Sequence, residues 1–149
     1  MKPKPSFGYA NDSPPRAQEV THAILRIGAG LLFMQHGVQK LFGWLGGIDG
    51  NGSSAELFSL LGLAGVLETF GGLAIVIGLF TRPVALVLAV EMIAAYFIAH
   101  QPQGGFPIQN GGELALLYAL VYVYLLTSGA GIASIDARRG HNGKAPGRL

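Results

Sequence analysis

The strongest constraint on this chain is the near-absence of charge from its middle. Of ten Lys and Arg residues, only Arg26, Lys40 and Arg82 lie between residues 20 and 137. That region holds four apolar stretches, at about 20–44, 55–80, 83–100 and 112–128. A helix needs about 17–25 residues to cross the hydrocarbon core of a bilayer, and each stretch lies within or near that range. Of the 149 residues, 12% are charged, whereas a soluble domain carries about 25%. The pattern predicts an all-α integral membrane protein, folded as a four-helix transmembrane bundle.

The connectors agree with that division. "GGIDGNGSS" (Gly46–Ser54) and "QPQGGFPIQNGG" (Gln101–Gly112) are turn-rich polar loops. "TRP" (Thr81–Pro83) is a tight turn, with Pro83 suited to the first turn of the next helix. Residues 1–19 are Pro-rich and polar with no apolar core, so they read as a flexible tail and not a cleavable signal. Residues 20–137 are then the transmembrane domain, and 138–149 a basic tail.

Basic residues mark the cytoplasmic side of a membrane protein. Four spans put both termini and the Thr81–Pro83 turn on one side. That side collects Lys2, Lys4, Arg16, Arg82, Arg138, Arg139, Lys144 and Arg148, eight of the ten basic residues. Both termini are therefore expected in the cytoplasm. The basic excess is topological and does not point to nucleic acid. The chain has no cysteine, which excludes disulfides, thiolate metal ligands and thiol redox chemistry within it. No metal site is expected.

Charges inside spans are costly and normally face the bundle interior in pairs. At about 1.5 Å per residue, Arg26 falls in the cytoplasmic third of the first span and Glu91 near the middle of the third, close enough for a structural charge pair. His36, Gln39, Lys40, His100 and Glu113 fall in the outer half, with Glu68 beneath them. His36 and Lys40 are i,i+4 neighbours and share a face. Arg26, about four turns below Lys40, continues the same stripe, which should turn inward. His36, Gln39, Lys40, Glu68 and Glu113 are the candidates for ligand binding or proton relay, with Glu68 and Glu113 the expected partners of His36 and Lys40. No residue is assigned a catalytic role.

Each of these also has an ordinary reading. Buried pairs can simply fix helix register. Lys40 can snorkel to the interface, with Phe42 and Trp44 in an aromatic belt. Glu113 can complement a helix dipole. Tyr118, Tyr122 and Tyr124 read as packing or interface residues. Two intramembrane histidines on different helices, His36 and His100, raise the question of haem. A single such pair, with His100 at a span end, argues against it.

Four motifs, in order, carry a family resemblance. "GLLFMQHGVQKLFG" (Gly30–Gly43), with Arg26 upstream, resembles the first-helix signature of the DoxX family of bacterial membrane proteins. "ETFGGLAIVIGLFTRPVAL" (Glu68–Leu86) is similar to its second-helix glutamate and Gly-Leu-aromatic-Thr-Arg turn. "GGELALLYAL" (Gly111–Leu120) resembles the opening of its last helix, and "SGAGIASIDA" (Ser128–Ala137) its closing element, with Ala130 where a proline is common.

The resemblance implies a multi-pass protein of the bacterial plasma (inner) membrane. It implies a membrane subunit of a quinone-linked oxidoreductase or of an oxidative-stress complex, with a protein partner supplying electrons. Quinone carbonyls accept hydrogen bonds, which His36 or Lys40 can donate, while Glu68 or Glu113 can relay protons. The alternatives are a non-catalytic membrane anchor or scaffold for a partner protein, and a small-solute carrier. Gly-rich helix faces make a homo-oligomer a further expectation.

Overall fold

The computed structural model describes residues 16–142. Among them the chain is all-helical, with no strand. Five helices organise it: α1 (Arg16–Phe42), α2 (Leu60–Ile77), α3 (Thr81–Gln103), α4 (Glu113–Ser128) and α5 (Ile135–Asn142). Two of these, α2 and α3, are long and apolar enough to cross a membrane, while α4 is apolar but two residues shorter than α2. Helix α1 starts four residues before the expected Val20. Helix α5 lies across the expected start of the tail. The remaining residues of both tails, 1–15 and 143–149, lie outside the described residues.

Local chemistry explains the boundaries. α1 stops at Gly43, whose left-handed backbone (φ 67°) lets its N–H return to the Gln39 carbonyl at 3.2 Å. The following loop is folded around Asp49, whose carboxylate accepts from the Asn51 N–H and the Ser53 hydroxyl. Ser59 caps α2, its hydroxyl accepting from the Gly62 N–H at 3.0 Å. That cap is why α2 begins near residue 60 and not at 55. At its other end Gly78 (φ 65°) reverses the chain, and the Leu79 N–H bonds the Ala74 carbonyl across the turn.

Two helices are interrupted by wide π-type turns, at Leu67–Gly71 in α2 and Tyr96–His100 in α3. Such a turn inserts an extra residue and rotates those after it, and it is found frequently at functional sites. In α2 it turns two consecutive side chains, Glu68 and Thr69, into the interior together.

The helices pack with α1 against α2 and α3 against α4. Ala85 and Ala89 of α3, with Ala115 and Ala119 of α4, are buried and permit the second of these approaches. Phe33, Ile75, Leu88, Met92, Tyr118 and Tyr122 fill the centre. The outward faces are apolar on every long helix: Leu31 and Leu32, Leu63 and Phe70, Val90 and Phe97, Leu117 and Leu120 are all exposed. Polar residues inside and large apolar residues outside is the arrangement suited to a lipid environment.

Candidate functional site

The polar stripe of α1 ends in two separate interior centres. The lower one is built on Arg26, which is fully buried. Its guanidinium donates to the carbonyls of Ile75 (2.7 Å) and Val76 (2.6 Å) at the end of α2. It donates also to those of Ala133 (2.9 Å) and Ile132 (3.4 Å) in the loop before α5. These carbonyls include orphan acceptors at the C-terminal, electronegative end of α2. The expected Arg26–Glu91 pair does not form. Arg26 lies level with the α2–α3 turn, whereas Glu91 stands ten residues into α3, about 15 Å further along. The carboxylate whose charge acts on Arg26 is that of Asp136.

Asp136 completes this end. Its carboxylate accepts the Phe80 N–H (2.9 Å) and the Thr81 N–H (2.8 Å), while its own N–H bonds the Gly78 carbonyl (2.9 Å). It thus caps α3 from more than fifty residues away in sequence. Partial burial acts to raise the Asp136 carboxyl, but the Thr81 and Phe80 hydrogen bonds outweigh it and hold the group below its ordinary range. Nearby, the His22 ring lies 3.1 Å from the Gly129 carbonyl and 3.0 Å from the Tyr124 hydroxyl. A carbonyl only accepts, so Nε2 donates to it, and in the neutral ring Nδ1 accepts from Tyr124. A cavity of about 780 Å³ opens here, lined by His22, Arg82, Tyr124 and Gly129 among others. It is remote from Lys40 and Glu68.

The upper centre is built on Lys40 and Glu68. The Lys40 ammonium donates to both carboxylate oxygens, at 2.8 and 2.6 Å, and it is the only ion pair among the described residues. The carboxylate side is almost wholly enclosed, at 4% side-chain exposure, against 20% for the lysine. Close approach of α1 and α2 makes this contact. A Cβ at Gly37 would run into the Thr69 backbone, and one at Gly65 would meet the Lys40 and Leu41 side chains.

Around the pair stand groups from the other two helices. Glu91 of α3 has both carboxyl oxygens buried without a partner, and the charges acting on it are those of Glu68 and Lys40. Tyr122 of α4 is fully buried, its hydroxyl also unpartnered, and Tyr118 stacks above it with ring centroids 6.1 Å apart. His36 meets the Tyr118 ring edge-on at 6.1 Å. The Thr69 hydroxyl is a third buried group without a partner.

Of the expected residues, the structure therefore brings together Lys40, Glu68 and, through Tyr118, His36. Gln39 is half-buried beside them. Glu113 does not join: it is exposed in the first turn of α4, where a carboxylate complements the helix dipole, and it forms no ion pair among the described residues. His36 and His100 have different partners, the latter donating from Nδ1 to the Asn110 carbonyl at 3.1 Å. No group of three His, Asp or Glu side chains suited to a metal occurs among the described residues. Sequence reasoning missed Thr69, Tyr118 and Tyr122 as members of the centre, and placed Glu91 in the wrong one. The i,i+4 spacing of Tyr118 and Tyr122 was a readable signal; the π-type turn that exposes Thr69 to the interior was not.

An apolar groove of about 300 Å³ runs between α2 and α3, lined by Leu67, Gly71, Val84, Val87 and Leu88 among others. Gly71 is three residues beyond Glu68, and Leu88 three before Glu91. The groove runs from Leu67, next to Glu68 in the chain, toward Phe80 and Pro83 at the α2–α3 turn.

The family model DoxX matches residues 21–101. An uncharacterised protein of Haemophilus influenzae is 43% identical over 118 residues, covering 76% of this chain and 87% of that protein. A Bacillus subtilis protein named "Putative oxidoreductase CatD" is 26% identical over 118 residues, covering 79% of this chain and 86% of that one. No solved structure matches.

Proposed function

The chain belongs to the DoxX family, and from that premise we propose that it is the membrane subunit of a quinone-linked oxidoreductase or oxidative-stress complex. In this reading all four long helices span the bacterial plasma membrane, with both termini in the cytoplasm. The observation that carries it is the enclosed Lys40–Glu68 pair, set among unpartnered hydroxyls and a carboxyl, with an apolar groove between α2 and α3 that begins at Leu67, beside Glu68 in the chain. The name of the Bacillus subtilis relative points the same way.

The residues fit such a ligand. A quinone supplies two carbonyl acceptors and a site for two electrons and two protons. Lys40 Nζ and the Tyr122 hydroxyl are donors facing the interior, and His36 supplies a further ring N–H. The groove lined by Leu67, Gly71 and Leu88 suits an isoprenoid chain. Lys40 orients the head group, and Glu68, released from Lys40, carries a proton at Oε1 or Oε2. With no cysteine in the chain, electrons come from a partner subunit that carries its own redox group.

The test is quinone extracted from the detergent-purified protein and quinone-dependent reduction in membranes. Lys40→Met and His36→Ala should each lower bound quinone at least severalfold. Quinone content unchanged in both would refute the reading and favour a membrane anchor, whose partner would co-purify regardless of these substitutions.

A further inference from the structure

Charge does not balance in the upper centre. One cation, Lys40, pairs with Glu68 on α2, and a second buried carboxyl, Glu91 on α3, stands one turn beyond Leu88, where α3 comes up against Gly71, itself one turn from Glu68. Two of the three Lys40 N–H donors go to the two oxygens of Glu68. Glu91 has no donor at either oxygen, although both are buried. The other groups facing this space are neutral hydroxyls, Tyr118 and Tyr122 from α4 and Thr69 from α2, with His36 of α1 beyond Tyr118. A second bare carboxylate in an apolar interior is far more costly than a carboxylic acid.

We propose that Glu68 and Glu91 share a single proton, held on Glu91 while Lys40 pairs with Glu68, and that Lys40 trades one carboxylate for the other as the proton crosses. The exchange is neutral throughout. The O–H bond of Glu91 breaks, an O–H bond forms on Glu68, and the ammonium shifts its pairing to the new carboxylate on Glu91. Tyr122, whose buried hydroxyl has no hydrogen-bond partner, can relay by accepting the proton of Glu91 as it releases its own to Glu68. No net charge is created in the interior at any stage, so the carboxylate desolvation penalty is not incurred twice. This makes the pair a proton store for the site; that its recipient is a quinone rests on the function proposed above.

Infrared spectroscopy of the full-length protein in detergent or lipid nanodiscs at neutral pH reads this directly. The wild type should show one deuterium-sensitive carbonyl band of a protonated interior carboxyl. Glu91→Gln should abolish it. Glu68→Gln should abolish it also, because Lys40 then holds Glu91 as the carboxylate. Lys40→Met should give two such bands, and Tyr122→Phe should shift the wild-type band or slow its deuterium exchange. A wild type with no such band, or a band that survives either glutamine substitution, overturns the proposal. Because both glutamines are isosteric, the test does not depend on Lys40→Met folding. Absence of bound quinone with this band pattern intact would refute the ligand while leaving the shared proton standing.

Discussion

Arg26→Met removes the lower centre while nearly conserving side-chain volume, so its cost can be worked from the hydrogen bonds. Three of the four bonds are 2.6–2.9 Å long, and the fourth, to Ile132, is 3.4 Å. A hydrogen bond to a charged group contributes about 1.5–3 kcal/mol, which puts the three short bonds at roughly 5–9 kcal/mol before the cost of burying the guanidinium. That desolvation costs several kcal/mol. What remains after it, together with the stranded carbonyls of Val76 and Ala133, is a net loss of about 3–5 kcal/mol; the Ile75 carbonyl keeps the Gly78 N–H. For a chain of this size that is a fall of roughly 10–20 °C in the thermal midpoint, measured on detergent-purified protein by circular dichroism. Arg26→Lys keeps the charge but offers one point donor in place of a two-armed fork. It can reach either the end of α2 or the 132–133 loop, and should recover about half of the loss. An Arg26→Met midpoint within about 2 °C of wild type, or full recovery by lysine, would refute the claim that the fork ties the two elements together.

Other substitutions test other links. Asp136→Ala removes the side-chain cap of α3 and should cost about 0.5–2 kcal/mol in the same assay. Because the Asp136 carboxyl is lowered in the folded protein, its contribution is fully present above the unfolded carboxylate range near about 3.9 and is lost as pH falls through the folded value; Asp136→Asn should flatten that acid limb. Gly37→Ala drives a methyl group into the Thr69 backbone and should cost about 1–3 kcal/mol as α1 and α2 separate, with loss of bound quinone. Removing the unpartnered hydroxyl by Tyr122→Phe should leave the thermal midpoint unchanged or raise it, since no hydrogen bond is broken. Glu68→Leu together with Glu91→Leu strands the Lys40 charge and should cost about 3–5 kcal/mol; adding Lys40→Met should return most of it, while quinone binding stays lost.

Solvent and period account for what could be read from the chain before its helices were packed. Long apolar runs, with only three basic residues between 20 and 137, set the long helices and their approximate limits. The i,i+4 stripe of α1 put Lys40 on an inward face, and the pairing of Lys40 with Glu68 was legible from depth and charge. Tertiary structure decided the rest. The carboxylate at the level of Arg26, Asp136, is taken up by the start of α3, so Arg26 binds the carbonyls at the end of α2 and in the 132–133 loop. Asp136, more than fifty residues beyond, serves as the cap of α3 because the closing loop folds back onto the α2–α3 turn. Thr69 faces inward only because a wide turn rotates it there. Glu91 joins Glu68 and not Arg26 because depth along α3 is counted from where that helix begins, at Thr81. Periodicity orients a side chain about its own helix; only the packed bundle sets the level at which helices meet, and that level decides which charges are partners.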